Sequence, residues 1–151
     1  MEYNRPQVVV LPIVAQSSVV MVRVKRPSLA DVTLELPAGA VENNEEPIQA
    51  TARELSEETG IEILELSRFI QLPSLCESAR VPRMPFIFQV HVSREEYEER
   101  KSHDDEIESV ERLEFDVVAK NIVDGTIYSS HAISILARFM LTHKSWYFER
   151  K

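Results

Sequence analysis

The stretch from residue 39 to residue 61, GAVENNEEPIQATARELSEETGI, constrains the fold of this chain more than any other part of the sequence. Pro47 suits the first turn of a helix, where its missing N–H is not needed, and Gly60 suits the left-handed position just past a helix end. Between them, aliphatic residues recur at the spacing of one helix face: Ile48, Ala52 and Leu55. The sequence therefore predicts an amphipathic helix at about 47–59.

The same helix carries three carboxylates on one face and no lysine to balance them. Glu54, Glu57 and Glu58 stand at positions i, i+3 and i+4. Like charges at these spacings cost an isolated helix about 0.2–0.5 kcal/mol per pair. A divalent cation removes the repulsion, because Mg2+ takes oxygen ligands and accepts water and phosphate beside them. Three glutamates alone more often form a solvated acidic face, so the longer pattern around them decides between the two interpretations.

Every fixed position of the pattern G-x5-E-x7-R-E-U-x-E-E-x-G-U, where U is a bulky aliphatic residue, is filled in this stretch. These positions are Gly39, Glu45, Arg53, Glu54, Leu55, Glu57, Glu58, Gly60 and Ile61. The stretch resembles the signature of the Nudix hydrolase family. The resemblance implies the α/β (α+β) class, as a Nudix-type α/β/α sandwich with a mixed β-sheet between helices. We expect a single such domain over residues 1–151.

The resemblance also implies an activity and a set of metal ligands. Nudix enzymes hydrolyse the pyrophosphate bond of a nucleoside diphosphate linked to another group, and metal-activated water is the nucleophile. Mg2+ is the expected ion, with Mn2+ as a substitute. The implied ligands are the carboxylates of Glu54, Glu57 and Glu58 and the backbone carbonyl of Ala38. Arg53 is expected to support the geometry of loop and helix together with Glu45.

Flanking segments look like the ADP-ribose pyrophosphatase branch, which implies ADP-ribose or a related nucleotide sugar as substrate. They include VVVLPI at 8–13, LELPAG at 34–39 and the DGTI that precedes a closing helix. In that branch a glutamate after the box serves as general base or additional ligand. Here Glu106 is the first choice and Glu108 the second, with a solvated acidic loop as the alternative. The candidate catalytic residues are therefore Glu57, Glu54, Glu106 and Arg53.

The formal net charge of −8 argues against a nucleic-acid or membrane-surface partner, since such proteins bind through basic patches. An anionic nucleotide-sugar substrate would have to meet local basic residues and metal. The candidates are Arg23, Lys25, Arg26 and Arg80. The alternative for each is an exposed side chain without a specific role. The four histidines show no metal-ligand spacing and are expected to be ordinary surface or core residues.

Cys76 is the only cysteine, so no internal disulfide can form and a cytoplasmic location is expected. No apolar run reaches the length of about 18 residues that a transmembrane helix needs. Members of the ADP-ribose pyrophosphatase branch usually exchange N-terminal strands between subunits. This sequence starts almost at the core sheet and has LPSL at 72–75 where that branch commonly has a Ser-Pro-Gly loop. A homodimer is therefore an open expectation.

Hydrophobic patterning predicts the remaining elements. Strands are expected at 7–14, 18–25, 32–36, 86–92 and 107–115, and further helices at 116–123 and 130–141. The segment 61–75 is expected to form one bent strand or two short ones. The tail carries Trp146, Tyr147 and Phe148, which are expected to pack on the domain or on a partner.

Two other functions remain open at this point. A nucleoside triphosphate or dinucleoside polyphosphate pyrophosphohydrolase would use the same chemistry on a different substrate. A non-catalytic Nudix module would sense a nucleotide or mediate a protein contact. Such a module has no need for every carboxylate of the pattern, whereas Glu54, Glu57 and Glu58 are all present here.

Overall fold

Valine-rich segments form the centre of a mixed, seven-stranded sheet in the computed structural model, which describes residues 5–81 and 83–143. The strands are β1 (Gln7–Val14), β2 (Ser18–Arg26), β3 (Asp31–Glu35), β4 (Ala38–Ala40), β5 (Ile70–Leu72), β6 (Phe86–Val92) and β7 (Ile107–Glu114). Their main order is β3-β2-β1-β6-β5, with β4 paired to β1 and β7 paired to β2. β1 and β6 are parallel, and the other pairs are antiparallel.

Four helices accompany the sheet in the described part of the chain. They are α1 (Pro47–Thr59), α2 (Arg94–Glu98), α3 (Phe115–Val123) and α4 (Ser130–Thr142). Short 3-10 turns lie at Pro27–Leu29 and Leu66–Arg68. None of the helices in these residues is both long enough and apolar enough to cross a bilayer.

Alternate residues of β1 are buried on opposite faces of the sheet, which creates two cores. Val9, Leu11 and Ile13 belong to a core that also holds apolar residues of α3 and α4. Val10 and Val14 belong to a second core that holds Leu55 of α1. A strand buried on both faces requires a nearly continuous apolar run, and QVVVLPIV supplies one. The sandwich of helices around a mixed sheet, expected from the sequence, is confirmed.

The structure confirms the expected strands and helices but differs from the sequence analysis at two places. Ala38–Ala40 forms the short strand β4 against β1, which was not among the expected strands. The segment 61–75 contains only the short strand β5, because β6 is its single pairing partner and Ile61 and Ile63 are buried in the core instead. Trp146, Tyr147 and Phe148 lie outside the described residues.

Candidate active site

Helix α1 begins and ends where its local sequence requires. Pro47 occupies the first turn, and the backbone N–H of Glu46 donates to Oε1 of Gln49 at 2.9 Å. Gly60 ends the helix in the left-handed conformation, with φ of 79°. A Cβ at Gly60 would also collide with the backbone carbonyl of Lys101, whose N–H donates to the Gly60 carbonyl at 2.8 Å. The helix end is therefore fixed against the segment that leads into the acidic loop.

Strand β4 approaches α1 so closely that a side chain at residue 39 would displace a glutamate of the helix. A Cβ on Gly39 would overlap the carboxylate of Glu54. One residue earlier, the backbone N–H of Ala38 donates to Oε1 of Glu58 at 2.8 Å. Two glutamates of the helix are thus held against the backbone of β4, which explains why the pattern begins with glycine before the helix.

Arg53 connects the loop before α1 to the carboxylates on it. Its Nε and one terminal nitrogen donate to Glu45 at 2.8 and 3.0 Å, and the same nitrogen donates to the Ala40 carbonyl at 2.8 Å. Its other terminal nitrogen donates to Glu54 at 2.8 Å and to Glu57 at 3.1 Å. The hydrogen bond from Arg53 lowers the pKa of Glu45. The arginine therefore links Glu45 in the loop before α1 to Glu54 and Glu57 on the helix.

Two carboxyl groups in this site are poorly stabilised as anions. Burial raises the pKa of Glu54 to about 7, although Arg53 opposes the rise. Burial raises the pKa of Glu58 to about 8, with a further contribution from the charge of Glu54 and an opposing one from the Ala38 N–H. A desolvated carboxylate needs a nearby positive charge to remain ionised. For both side chains, desolvation outweighs the nearby positive charge and hydrogen bonds.

An acidic loop at 104–106 faces the same helix. The backbone N–H of Asp104 donates to the Glu57 carbonyl at 2.9 Å, which attaches the loop to α1. From the other side, the Lys25 N–H donates to the Glu106 carbonyl at 3.0 Å, and Lys25 Nζ donates to the Asp105 carbonyl at 2.9 Å. Hydrogen bonds to two different elements thus hold this loop over the end of the helix.

The helix, β4 and the acidic loop enclose a cavity of about 800 Å³, which we call the acidic cavity. Among the described residues, seven carboxylates line it: Glu42, Glu54, Glu57, Glu58, Asp104, Asp105 and Glu106. Two guanidinium groups also line it, those of Arg26 and Arg53. The volume lies within the range of about 300–1,000 Å³ that is typical of small-molecule sites. An anionic ligand would be repelled here unless cations entered with it.

The donors fit a hard divalent cation. Within residues 5–81 and 83–143, no group of three or more His, Cys, Asp or Glu side chains is already arranged to hold a metal ion. Arg53 engages Glu54 and Glu57, and Glu58 turns toward the Ala38 N–H. The site nevertheless offers oxygen donors, among them two half-buried carboxyl groups with raised pKa values. Mg2+ prefers such ligands.

The basic candidates from the sequence are not gathered in one place. Arg26 lines the acidic cavity and forms a bidentate ion pair with Glu35, with both nitrogen–oxygen distances at 2.9 Å. Arg23 is paired with Glu111 across β2 and β7, and Lys25 holds the acidic loop. Arg80 is exposed in a turn at 78–81 and does not line the cavity.

Sequence reasoning did not single out every residue of this cavity. Gln7 lies at the start of β1, opposite Ala40 in β4, and its side chain lines the cavity. Asp104 and Asp105 also line it, whereas Glu108 does not. Gln7 carries no local signal, because its position at the site depends on the pairing of β1 with β4.

Comparisons with known proteins identify a family and a shared fold. A family model described as the NUDIX domain matches residues 3–131. A solved structure titled "Crystal structure of ADP compounds hydrolase" is similar, with a TM-score of 0.66 and 19% sequence identity. The similarity covers 93% of this chain and 75% of that chain, and at this identity it shows a shared fold. A comparison with curated proteins found no match.

Proposed function

The chain belongs to the NUDIX domain family, and we propose that it is a Mg2+-dependent pyrophosphohydrolase that cleaves a nucleoside diphosphate linked to another group. One observation supports this most strongly. The three glutamates of the pattern line one cavity with the acidic loop, and two of them, Glu54 and Glu58, are half-buried with pKa values raised by desolvation. Carboxylates kept in this state are costly to stability and suit a site that takes up cations.

Proteins of this family generally use divalent metal ions, and the oxygen-only donor set favours Mg2+, with Mn2+ as a substitute. Glu54, Glu57, Glu58 and the carbonyl of Ala38 would hold the metal. When bound, Mg2+ neutralises phosphoryl oxygens and makes water a stronger nucleophile. Arg53 orients Glu54 and Glu57 through its hydrogen bonds, so we assign it a positioning role.

Glu106 is the proposed general base. Its segment lines the acidic cavity, and the bond from the Lys25 N–H to its carbonyl fixes the backbone there. Glu108 lies within β7, outside the lining, and its carboxylate is 3.9 Å from Lys25 Nζ. A base must come within hydrogen-bond reach of the attacking water, directly or through one more water. We therefore propose that Glu106, and not Glu108, accepts the proton of the attacking water.

We propose that the guanidinium group of Arg26 contacts the diphosphate of the substrate. It lines the cavity, and its bidentate pair with Glu35 fixes the guanidinium plane. A fixed planar guanidinium matches the geometry of phosphate oxygens. The acidic cavity is not lined by Arg23, Lys25 or Arg80. We therefore expect their removal to weaken binding of the diphosphate less than removal of Arg26.

We propose ADP-ribose or a related nucleotide sugar as the substrate, with AMP and ribose 5-phosphate as the products of ADP-ribose. The similar solved structure is of an ADP compounds hydrolase, which supports this choice. The test is a panel of ADP-ribose, other nucleotide sugars, NADH, nucleoside triphosphates and dinucleoside polyphosphates, with product identification in Mg2+ and Mn2+. Cleavage of a triphosphate or dinucleoside polyphosphate instead would replace the substrate assignment.

Two variants test the metal assignment. Glu57→Gln and Glu58→Gln should each lower turnover by orders of magnitude while the protein still folds. The substrate panel, combined with a nucleotide-binding measurement, separates an enzyme from a sensor. Cleavage of no compound in the panel, combined with nucleotide binding that persists in chelator, would show a binding module and overturn the proposed function.

A further inference from the structure

An apolar cavity of about 340 Å³ lies beside α4, on the face of the sheet opposite α1, and we call it the α4 groove. One side is formed by Leu72 of β5 and Ile87 of β6, which are paired across the two strands. The other side is formed by the last two turns of α4, with Ile135, Phe139 and Leu141. Apolar side chains from three elements therefore surround one open space.

The groove opens at an edge of the sheet, because β5 is the last strand in the order β3-β2-β1-β6-β5. Ile70 lies two residues before Leu72 in the same strand, so both side chains share one face, and Ile70 is 57% exposed. On the helix side of the groove, Leu141 is 63% exposed. Adjoining exposed apolar side chains mark a surface that another group covers more often than isolated ones do.

The chain leaves α4 directly beside this groove. His143, the residue after the helix, has a non-helical backbone with φ of −107° and ψ of 57°. Its ring lies against the ring of Phe139, with centroids 4.2 Å apart, and its Nδ1 is 2.9 Å from the Phe139 carbonyl oxygen. Phe139 itself lines the groove. The segment that follows His143 therefore starts next to the groove.

That segment has the composition of a group that would fill an apolar groove. Its sequence, KSWYFERK, contains three consecutive aromatic residues at 146–148. Four residues extend at most about 14 Å, so Trp146 is within reach of any point along the last two turns of α4, which span about 11 Å. A buried indole needs an acceptor for its N–H, and the side-chain amide of Gln89 in the lining can provide one.

We propose that the aromatic residues of 144–151, with Trp146 as the anchor, bind in the α4 groove of the same chain and cover the edge of the sheet at β5. A short tether gives the segment an effective concentration in the millimolar range, which favours it over a separate molecule. A second copy would have to bury about 1,200–2,000 Å² in total for a stable interface, whereas this groove has room for only a few side chains. The inference does not rest on the proposed function.

The fluorescence of Trp146 tests this directly, because it is the only tryptophan in the sequence. In the full chain its emission should be blue-shifted, and its acrylamide quenching constant should be at least twofold lower, relative to the chain unfolded in denaturant. Leu141→Lys places a charge at the rim of the groove, so it should shift the emission to the red and raise the quenching constant at least twofold. Gln89→Lys, on the opposite side of the groove, repeats the test independently of α4.

Val123→Lys is the matched control. Val123 is the last residue of α3, is 89% exposed and does not line the groove. Like Leu141→Lys, it replaces an exposed aliphatic side chain near the C-terminal end of a helix, where a positive charge is favourable. Both proteins should therefore fold, as circular dichroism will show, but Val123→Lys should leave the emission and the quenching constant unchanged.

Thermal unfolding adds a second readout. Trp146→Ala should lower the Tm by about 4 °C or more, because a packed aromatic side chain is lost. In the Leu141→Lys background the same substitution should change the Tm little, since the two residues contact each other in the bound arrangement and their effects are not additive.

Three results would overturn the proposal. The first is an exposed indole in the parent protein. The second is a buried indole that neither Leu141→Lys nor Gln89→Lys affects, which would place the segment elsewhere. The third is burial that increases with protein concentration together with a doubled mass in sedimentation, which would assign the groove to an interface between copies. None of these measurements involves turnover, so failure here leaves the proposed hydrolase intact.

Discussion

The methyl group that Gly39→Ala adds would overlap the carboxylate of Glu54, whereas the backbone at residue 39 does not require glycine. Residue 39 lacks the positive φ that Gly60 and Gly125 adopt. Alanine at a compatible position stabilises a protein by about 0.4–1 kcal/mol through the unfolded state. This substitution therefore acts mainly by displacing one side chain of the site.

The expected change in unfolding free energy follows from the contacts that the Glu54 side chain would lose. Its carboxylate must leave the surface of β4 and strain or break its 2.8 Å hydrogen bond with Arg53. Hydrogen bonds to charged groups contribute about 1.5–3 kcal/mol, and release of a buried carboxylate into water offsets part of that loss. The net change in unfolding free energy should therefore stay within about 2 kcal/mol. A displacement of about 1 Å in a reacting group costs about 100-fold in rate, so kcat/KM should fall at least that far.

Gly125→Ala provides the matched control. Gly125 has φ of 84° and open space where a Cβ would lie, and it does not line the acidic cavity. Alanine there should cost about 1–2 kcal/mol through backbone strain and leave kcat/KM unchanged. The assay is chemical unfolding in chelator together with kcat/KM in Mg2+ for both variants. A Gly39→Ala protein that retains activity within tenfold, or loses it only by unfolding, would refute this account of the site.

Three further expectations follow from the contacts described above. Glu58→Gln should raise the Tm of the metal-free protein. Desolvation raises the pKa of this carboxyl to about 8, and the neutral amide avoids the cost of desolvating a charge. An unchanged or lower Tm contradicts this. Gly60→Ala should lower the unfolding free energy by more than about 2 kcal/mol in denaturant titration, since strain and collision with the Lys101 carbonyl add together. The hydrogen bond from Arg68 lowers the pKa of Glu96 to about 2, so the stability contributed by this pair is complete above pH 4.5 and is lost as pH falls toward 2. Both side chains are about one-third exposed, so the unfolding free energies of the parent and Arg68→Gln proteins should differ by about 1 kcal/mol at pH 6. This difference should shrink below pH 4.5. A difference that grows on acidification would exclude the pair as its source.

Local patterns in the sequence were sufficient to predict the main elements and the placement of three carboxylates on α1. Helix periodicity, Pro47 and Gly60 defined 47–59, and the spacing of Glu54, Glu57 and Glu58 placed three carboxylates on one face. These inferences hold because each concerns residues within one or two helical turns of each other, where backbone geometry alone determines relative position. The valine-rich strands were predictable for the same reason.

Tertiary structure decided which distant side chains join that helix. Arg26 lines the acidic cavity while Arg23 is paired across the sheet, and Glu106 lines it while Glu108 lies in β7. Nothing in the local sequence distinguishes the members of these pairs, because strand register and loop anchoring set their directions.

Gln7 and His131 illustrate the same limit more strongly. One begins β1 and the other belongs to the first turn of α4, and only the packing of sheet and helices brings both to the lining of one cavity of about 560 Å³. His131 was expected to be an ordinary residue, because residue types alone do not show which side-chain nitrogen will be buried without a hydrogen-bond partner. The sequence by itself determined the family pattern and the carboxylate face of one helix, whereas contacts between elements far apart in the chain determined the shape and polarity of the cavities.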